Sequence, residues 1–161
     1  VANEIDKLLL YGAGKTIDSS MIEKVVSVNL SSSIFKLTDL LGEKKLRDSL
    51  RTLEILISSG EEIVAMLFML VRHFRIMAQV KDLTDKGGKP ASIAKAIKEN
   101  PFVVNKIYSQ AKGFSFEKIR NIYRNLMDID AGFKTGRIKI STVDQTELVR
   151  EMEVLITKVC L

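Results

Sequence analysis

Cysteine is nearly absent from this 161-residue chain. The single thiol, Cys160, excludes an internal disulfide and fits a reducing compartment. Tryptophan is missing, proline occurs twice, and histidine occurs once, at His73. One histidine without a pair of cysteines is no zinc-ligand set, so no metal and no other cofactor is expected. The opening VANEIDK has acidic residues and no early basic cluster before its apolar run, so it does not read as a secretory signal, and a cytoplasmic setting is expected. The unbroken apolar run from Ile63 to Val71 is nine residues, short of the roughly 20 that cross a bilayer. Period-two alternation is missing too. With no stretch that reads as a strand, the expected fold class is all-α.

What is present is ordinary globular material, 46% hydrophobic and 28% charged. A chain of this length typically buries about 70% of its unfolded surface, enough for a core without covalent staples. The stretch from Glu61 to Lys86 organises the rest. Its apolar first half contains no Gly or Pro and suits a helix enclosed on most sides. Further on, Arg72, Arg75, Gln79 and Asp82 recur at steps of three and four, which places them on one polar face. Phe74, Met77, Ala78 and the flank of His73 continue the buried side.

The other segments supply helices to cover it. Residues 4–11 and 18–26 read as short helices separated by glycines, and the Ser-rich run at 29–33 reads as a break and domain boundary. A short helix over 34–41 stops at Gly42. Residues 43–58 place Leu46, Leu50, Leu53 and Ile57 on one stripe, and the short link through Gly60 predicts a return antiparallel to the central helix. Pro90 opens a small helix ending at Asn100, and Pro101 opens another, with Val104, Ile107, Tyr108 and Ala111 facing inward. Ser115 is an N-cap, with Phe114 and Ile119 at the positions of a hydrophobic staple. Ile119, Ile122, Leu126, Ile129 and Phe133 then form a seam. Thr142 and Gln145 suggest a capping box for a last helix carrying Leu148, Met152, Leu155 and Val159 inward.

Several tempting motifs dissolve on their spacing. GAGKT at 12–16 resembles the end of a phosphate-binding loop, but that pattern needs a glycine where Leu9 stands, and a strand in front. No nucleotide site is expected. His73 with Cys160 lacks an orienting third group, and Asp128 and Asp130, two apart, point to different sides of a helix. No catalytic residue is expected, and the chain is not read as an enzyme. Charge is unevenly placed: residues 87–142 carry 11 Lys/Arg against 4 Asp/Glu, while the whole chain is +5. A basic half can face nucleic acid. Ala94 and Val104 sit as packing residues do in a helix-turn-helix, with Lys95, Lys98, Lys106 and Lys112 around them. The alternative function is therefore a basic DNA-binding module using 91–112, with Asn105 and Gln110 available to base edges. Against it, the turn Glu99-Asn100-Pro101 has no glycine.

The series of pieces resembles one family, the delta subunit of the bacterial DNA polymerase III clamp loader. NEIDKLLLYGAGKTIDSSMIEKVVS looks like the end of that family's AAA+-type lid domain. SIFKLTDLLGEKKLRDSLRTLEILISSGEE looks like the start of its C-terminal collar. AMLFMLVRHFRIMAQVKDL resembles its central helix, with Arg75 at the family's arginine. ASIAKAIKENPFVVNKIYSQAKGFS is similar to its helical hairpin, and DIDAGFKTG matches a motif at Asp130, Lys134, Thr135 and Gly136. The departures are an Asn before Pro101 and a more polar final helix. The resemblance implies residues 1–30 as the end of a lid domain and 31–161 as a collar of six to seven helices. It implies a role in DNA replication through assembly of a pentameric collar with gamma/tau and delta-prime subunits. It also implies a sliding clamp met only through an N-terminal ATPase-like domain lying outside this sequence, and DNA met in the full complex. On the helix over 115–133, Glu117, Arg120, Arg124 and Asp128 are the candidate partner surface.

Overall fold

The computed structural model describes residues 30–141 and 144–161, together with the isolated Gly12. The expected helices over 4–11 and 18–26, the rest of the GAGKT segment and Thr142 lie outside the described residues. Those residues form seven α-helices and no strand, so the all-α expectation holds. They are α1 (Leu30–Gly42), α2 (Leu46–Ser58), α3 (Ile63–Asp85), α4 (Pro90–Ile97), α5 (Pro101–Ala111), α6 (Phe116–Lys134) and α7 (Thr146–Cys160).

The hub is α3. Ile63, Met66, Leu67, Leu70, Phe74, Ile76, Met77 and Val80 are all buried along its 23 residues. It packs most broadly on α6 and α5, then on α1, α4 and α7. Among the described residues it is the one helix long and apolar enough to cross a membrane. Arg72, His73 and Arg75 near its middle, and helices against several of its sides, suit a protein core instead. The apolar run is less enclosed than its composition suggested: Phe68 is exposed, with the Lys134 ammonium 5.8 Å above its ring. Nine apolar residues in a row necessarily wrap the whole circumference of a helix, and one side of α3 has no neighbour at that height.

Four local expectations are corrected. The Ser-rich run at 31–33 is helical, forming the first turn of α1. The helix α2 does not lie along α3; it packs on α1 and α7. Gly60, at φ +81°, takes the left-handed turn that re-aims the chain, so a short link did not force adjacency. Its deepest residues are accordingly Ser49, Leu53 and Leu56, with Leu46, Leu50 and Ile57 on the flanks. The helix α4 stops at Ile97, three residues early, because Lys98 turns left-handed at φ +55°. The last helix starts at Thr146 with Gln145 as its N-cap residue, and the Asp144 carboxylate accepts from Thr146 N–H at 2.9 Å. Gln145 therefore precedes the helix instead of occupying its third position.

Elsewhere local signals and packing agree. Ser115 Oγ accepts from Lys118 N–H at 3.1 Å, and the staple residues Phe114 and Ile119 are both buried. The α6 seam is buried at Ile119, Ile122, Leu126 and Ile129, with Phe133 half-buried. Leu148, Met152, Leu155 and Val159 are buried along α7.

Candidate interaction surfaces

Asn100 caps α5 by accepting from Phe102 N–H at 2.8 Å, and Pro101 sits in the first turn, where its missing N–H costs nothing. Those two residues set the angle at which α5 leaves α4. Ala94 and Val104 are both buried where the two helices pack. Lys95, Lys98, Lys106 and Lys112 are all exposed. They do not form one free basic face, however. Lys106 is bound to Asp39 on α1 at 2.5 Å, and the Lys112 ammonium lies 5.3 Å from the Tyr108 ring. Gln110, a candidate for reading base edges, is buried instead: its side chain fills the space beside Gly42, and its Nε2 donates to Asp39 O at 3.4 Å. A Cβ at position 42 would come within 2.4–2.7 Å of the Gln110 amide, so this glycine is what admits it. Only Asn105 remains exposed for such a role.

The α6 candidates fare differently. Glu117, Arg120, Arg124 and Asp128 are all exposed, one to each turn of the helix. Arg120 approaches Glu117 at 3.9 Å, a solvent-exposed pair of small energetic value, and no carboxylate among the described residues holds Arg124. Two exposed apolar side chains, Phe116 and Met127, share this surface. Asp130 points the other way, is buried, and is held by Lys134 at 2.7 Å. Thr135 donates to Ala131 O at 2.8 Å and Gly136 takes φ +74°, so the Asp-Lys-Thr-Gly segment ends α6 and turns the chain.

His73 and Cys160 stand in different electrostatic surroundings. The charges acting on His73 are Lys106 and Arg72, whereas those acting on Cys160 are Lys118 and Lys44. Burial above all, then those two cations, lowers the His73 pKa from 6.5 to about 4, so the imidazole is neutral at pH 7. Burial pushes the Cys160 thiol up, opposite to what a nucleophile needs. Among the described residues no three His, Cys, Asp or Glu side chains gather as metal ligands.

One feature has no counterpart in the periodicity of the sequence. Between α1, α3 and α5 lies a cavity of about 310 Å³, lined by Phe35, Met69, Arg72, His73, Ile76, Phe102 and neighbours. Phe102 is 75% exposed at its edge and Phe35 44%. A stripe-based reading misses such residues because both stand beside an apolar stripe, not on it. The available signal was an aromatic off the stripe of its own helix, at the second position of α5.

The described residues thus form a helical bundle with charged and apolar patches on its outer helices. The model of the family described as DNA polymerase III delta subunit, C-terminal domain, matches residues 31–150, and the chain belongs to that family. It is 29% identical over 138 residues to the DNA polymerase III subunit delta of Bacillus subtilis (strain 168), covering 85% of this chain and 40% of that protein. Its fold matches the Bacillus subtilis DNA clamp loader delta protein with a TM-score of 0.72 at 23% identity, over 98% of this chain and 44% of the other. The chain thus spans less than half the length of these relatives.

Proposed function

We propose that this chain is the assembly part of a clamp-loader delta subunit in bacterial DNA replication, with residues 31–161 as the collar and 1–30 as the end of a lid domain. It acts by packing helices against the collars of gamma/tau and delta-prime neighbours. The clamp-opening step and contact with the sliding clamp belong to an ATPase-like region outside this sequence, in the cytoplasm where replication proceeds. The family match over residues 31–150 carries the reading.

The contact surface proposed is the outer face of α6. Arg120 and Arg124 there stand among Phe116 and Met127, and arginine mixed with exposed apolar side chains is the composition of interface centres. All four are solvent-exposed, so replacing the arginines costs little folding energy. The test is size exclusion with light scattering on the chain mixed with a gamma/tau C-terminal fragment. The double substitution Arg120→Glu, Arg124→Glu is expected to abolish the mixed peak while leaving the melting temperature within a degree or two. Assembly that survives the double charge reversal removes this face from the interface. A DNA-binding role for 91–112 predicts duplex binding that falls steeply with salt. The Lys106–Asp39 pair and the buried Gln110 weigh against it.

A further inference from the structure

The face proposed on α6 is too small to hold an assembly by itself. A stable protein contact takes roughly 20–30 residues a side. The helix has 19 residues, and six of them, from Ile119 to Gly132, are buried inward. A partner seated on Arg120 and Arg124 must therefore cover a neighbouring element too. Toward α3, Phe68 already has the Lys134 ammonium 5.8 Å above its ring, and Lys134 is held by Asp130. Toward α7 the surface stays open. A cleft there is lined by Asn125 and Asp128 of α6 and by Glu151, Val154 and Lys158 of α7, with Lys158 Nζ 3.4 Å from Asn125 Oδ1. Val154 and Lys158 also line a second groove, opposite Leu50, Arg51 and Glu54 of α2. The Val154–Lys158 turn is thus the outward ridge of one surface running from α6 over α7 to α2.

The side chains along that surface state what it fits. Val154 is 43% exposed, and Ile55, beside Glu54 on α2, is 54% exposed. Each wall of the α2–α7 groove carries one charge of each sign, Arg51 and Glu54 on α2 and Glu153 and Lys158 on α7. All four are exposed, and none is in an ion pair among the described residues. A nucleic-acid backbone laid in this groove would meet two carboxylates. Apolar side chains ringed by unpaired charges of both signs instead fit a folded protein surface of the same make-up, with its charges in the opposite order.

We propose that the neighbouring collar bound at Arg120 and Arg124 extends over α7 to α2. It seats an apolar side chain against Val154 and Ile55, pairs carboxylates with Arg51 and Lys158, and pairs cations with Glu54 and Glu153. This extended face rests on the collar reading, with a gamma/tau subunit as its occupant, and makes α7 and α2 part of the contact.

Isothermal titration of the whole chain with the complete gamma/tau subunit tests it, with Val154→Arg and Arg51→Glu as variants. Both positions face solvent, so melting temperatures are expected within a degree or two of the wild type. Each variant is expected to weaken binding about tenfold or more. The methyl resonances of Val154 and Ile55 give a second reading that needs no substitution, and decide the matter if a variant melts lower than expected. Both are expected to shift when the partner is added. Binding by both variants at wild-type strength, with the Arg120→Glu, Arg124→Glu chain still failing to bind, overturns the extension and leaves the collar reading intact. Unmoved Val154 and Ile55 resonances in a complex that does form overturn it as well. A wild-type chain that binds no gamma/tau subunit fails the collar reading itself, and the extended face falls with it.

Discussion

The buried imidazole of His73 makes the stability of this protein depend on pH in a calculable way. In the unfolded chain the ring ionises near 6.5; in the fold, burial and the nearby Lys106 and Arg72 hold it down to about 4. Between those values the unfolded state binds more protons than the native state, so stability must fall as pH is lowered through that window. At 1.36 kcal/mol per pH unit, the full displacement from 6.5 to about 4 is worth about 3 kcal/mol below pH 4. By pH 5 about 2 kcal/mol of it is already lost, and at pH 7 almost none. Arg72 and Lys106 face the ring from α3 and α5, each held by a carboxylate, Glu99 and Asp39 respectively. Those carboxylates are common to the wild type and to His73→Leu, so comparing the two proteins isolates the ring. Urea denaturation at pH 7 and pH 5 measures it. The wild type is expected to lose about 2 kcal/mol more than His73→Leu between the two conditions. Equal losses would mean that the ring is hydrated or paired, and that the account of its burial is mistaken.

Three further outcomes follow from local geometry. Lys98 holds a left-handed conformation at φ +55°, which costs an ordinary L-residue roughly 1–2 kcal/mol, so Lys98→Gly is expected to stabilise by roughly 0.5–1 kcal/mol after glycine's own entropy is subtracted. Thermal melting checks it, and a lower melting temperature contradicts it. Ser115→Ala removes the acceptor for Lys118 N–H and should cost about 1 kcal/mol in urea titration, whereas Ser115→Asp should cost almost nothing. Phe114→Ala should cost about 3–5 kcal/mol, since the ring is buried, stands edge-on to Phe74 at 6.3 Å and lies under the Lys44 ammonium at 4.5 Å. A loss under 1 kcal/mol would show that the α5–α6 link does not depend on it.

Local chemistry in the sequence located helices well where one residue settles the question. Pro101 with Asn100 starts α5, and Ser115 with its staple starts α6, because capping and proline effects act within a turn and need no tertiary partner. The seams of α6 and α7 were legible for a related reason: each helix has one buried side, so a spacing of three and four marks it. The failures occurred where distant packing decided the matter. The helix α2 was expected beside α3 from the length of its link, yet the link fixes only how far the chain travels, and Gly60 re-aims it toward α1 and α7. Likewise Ser31–Ser33 looked like a break by composition and is helical. Helix propensity is a weak prior that tertiary contacts readily override.

The proposed contact surface is harder to see in the sequence than the core, and the reason is physical. A core residue is constrained by neighbours on the same helix, which leaves a period in the sequence. An interface residue is constrained by a molecule that is elsewhere, which leaves no period at all. Charge therefore misleads when counted without its partners. Of the four lysines around α4 and α5, Lys106 is held by Asp39 from 67 residues away in the chain, and no local pattern announces that pairing. Gln110, polar and placed on a helix that otherwise looked available, turns inward because Gly42 leaves it room. Among the described residues, Arg124 and Met127 on α6 and Phe102 beside the groove face outward, and their side chains are those the fold does not consume. An exposed aromatic or arginine stabilises its own chain little, so its contribution must be sought in what it touches outside that chain.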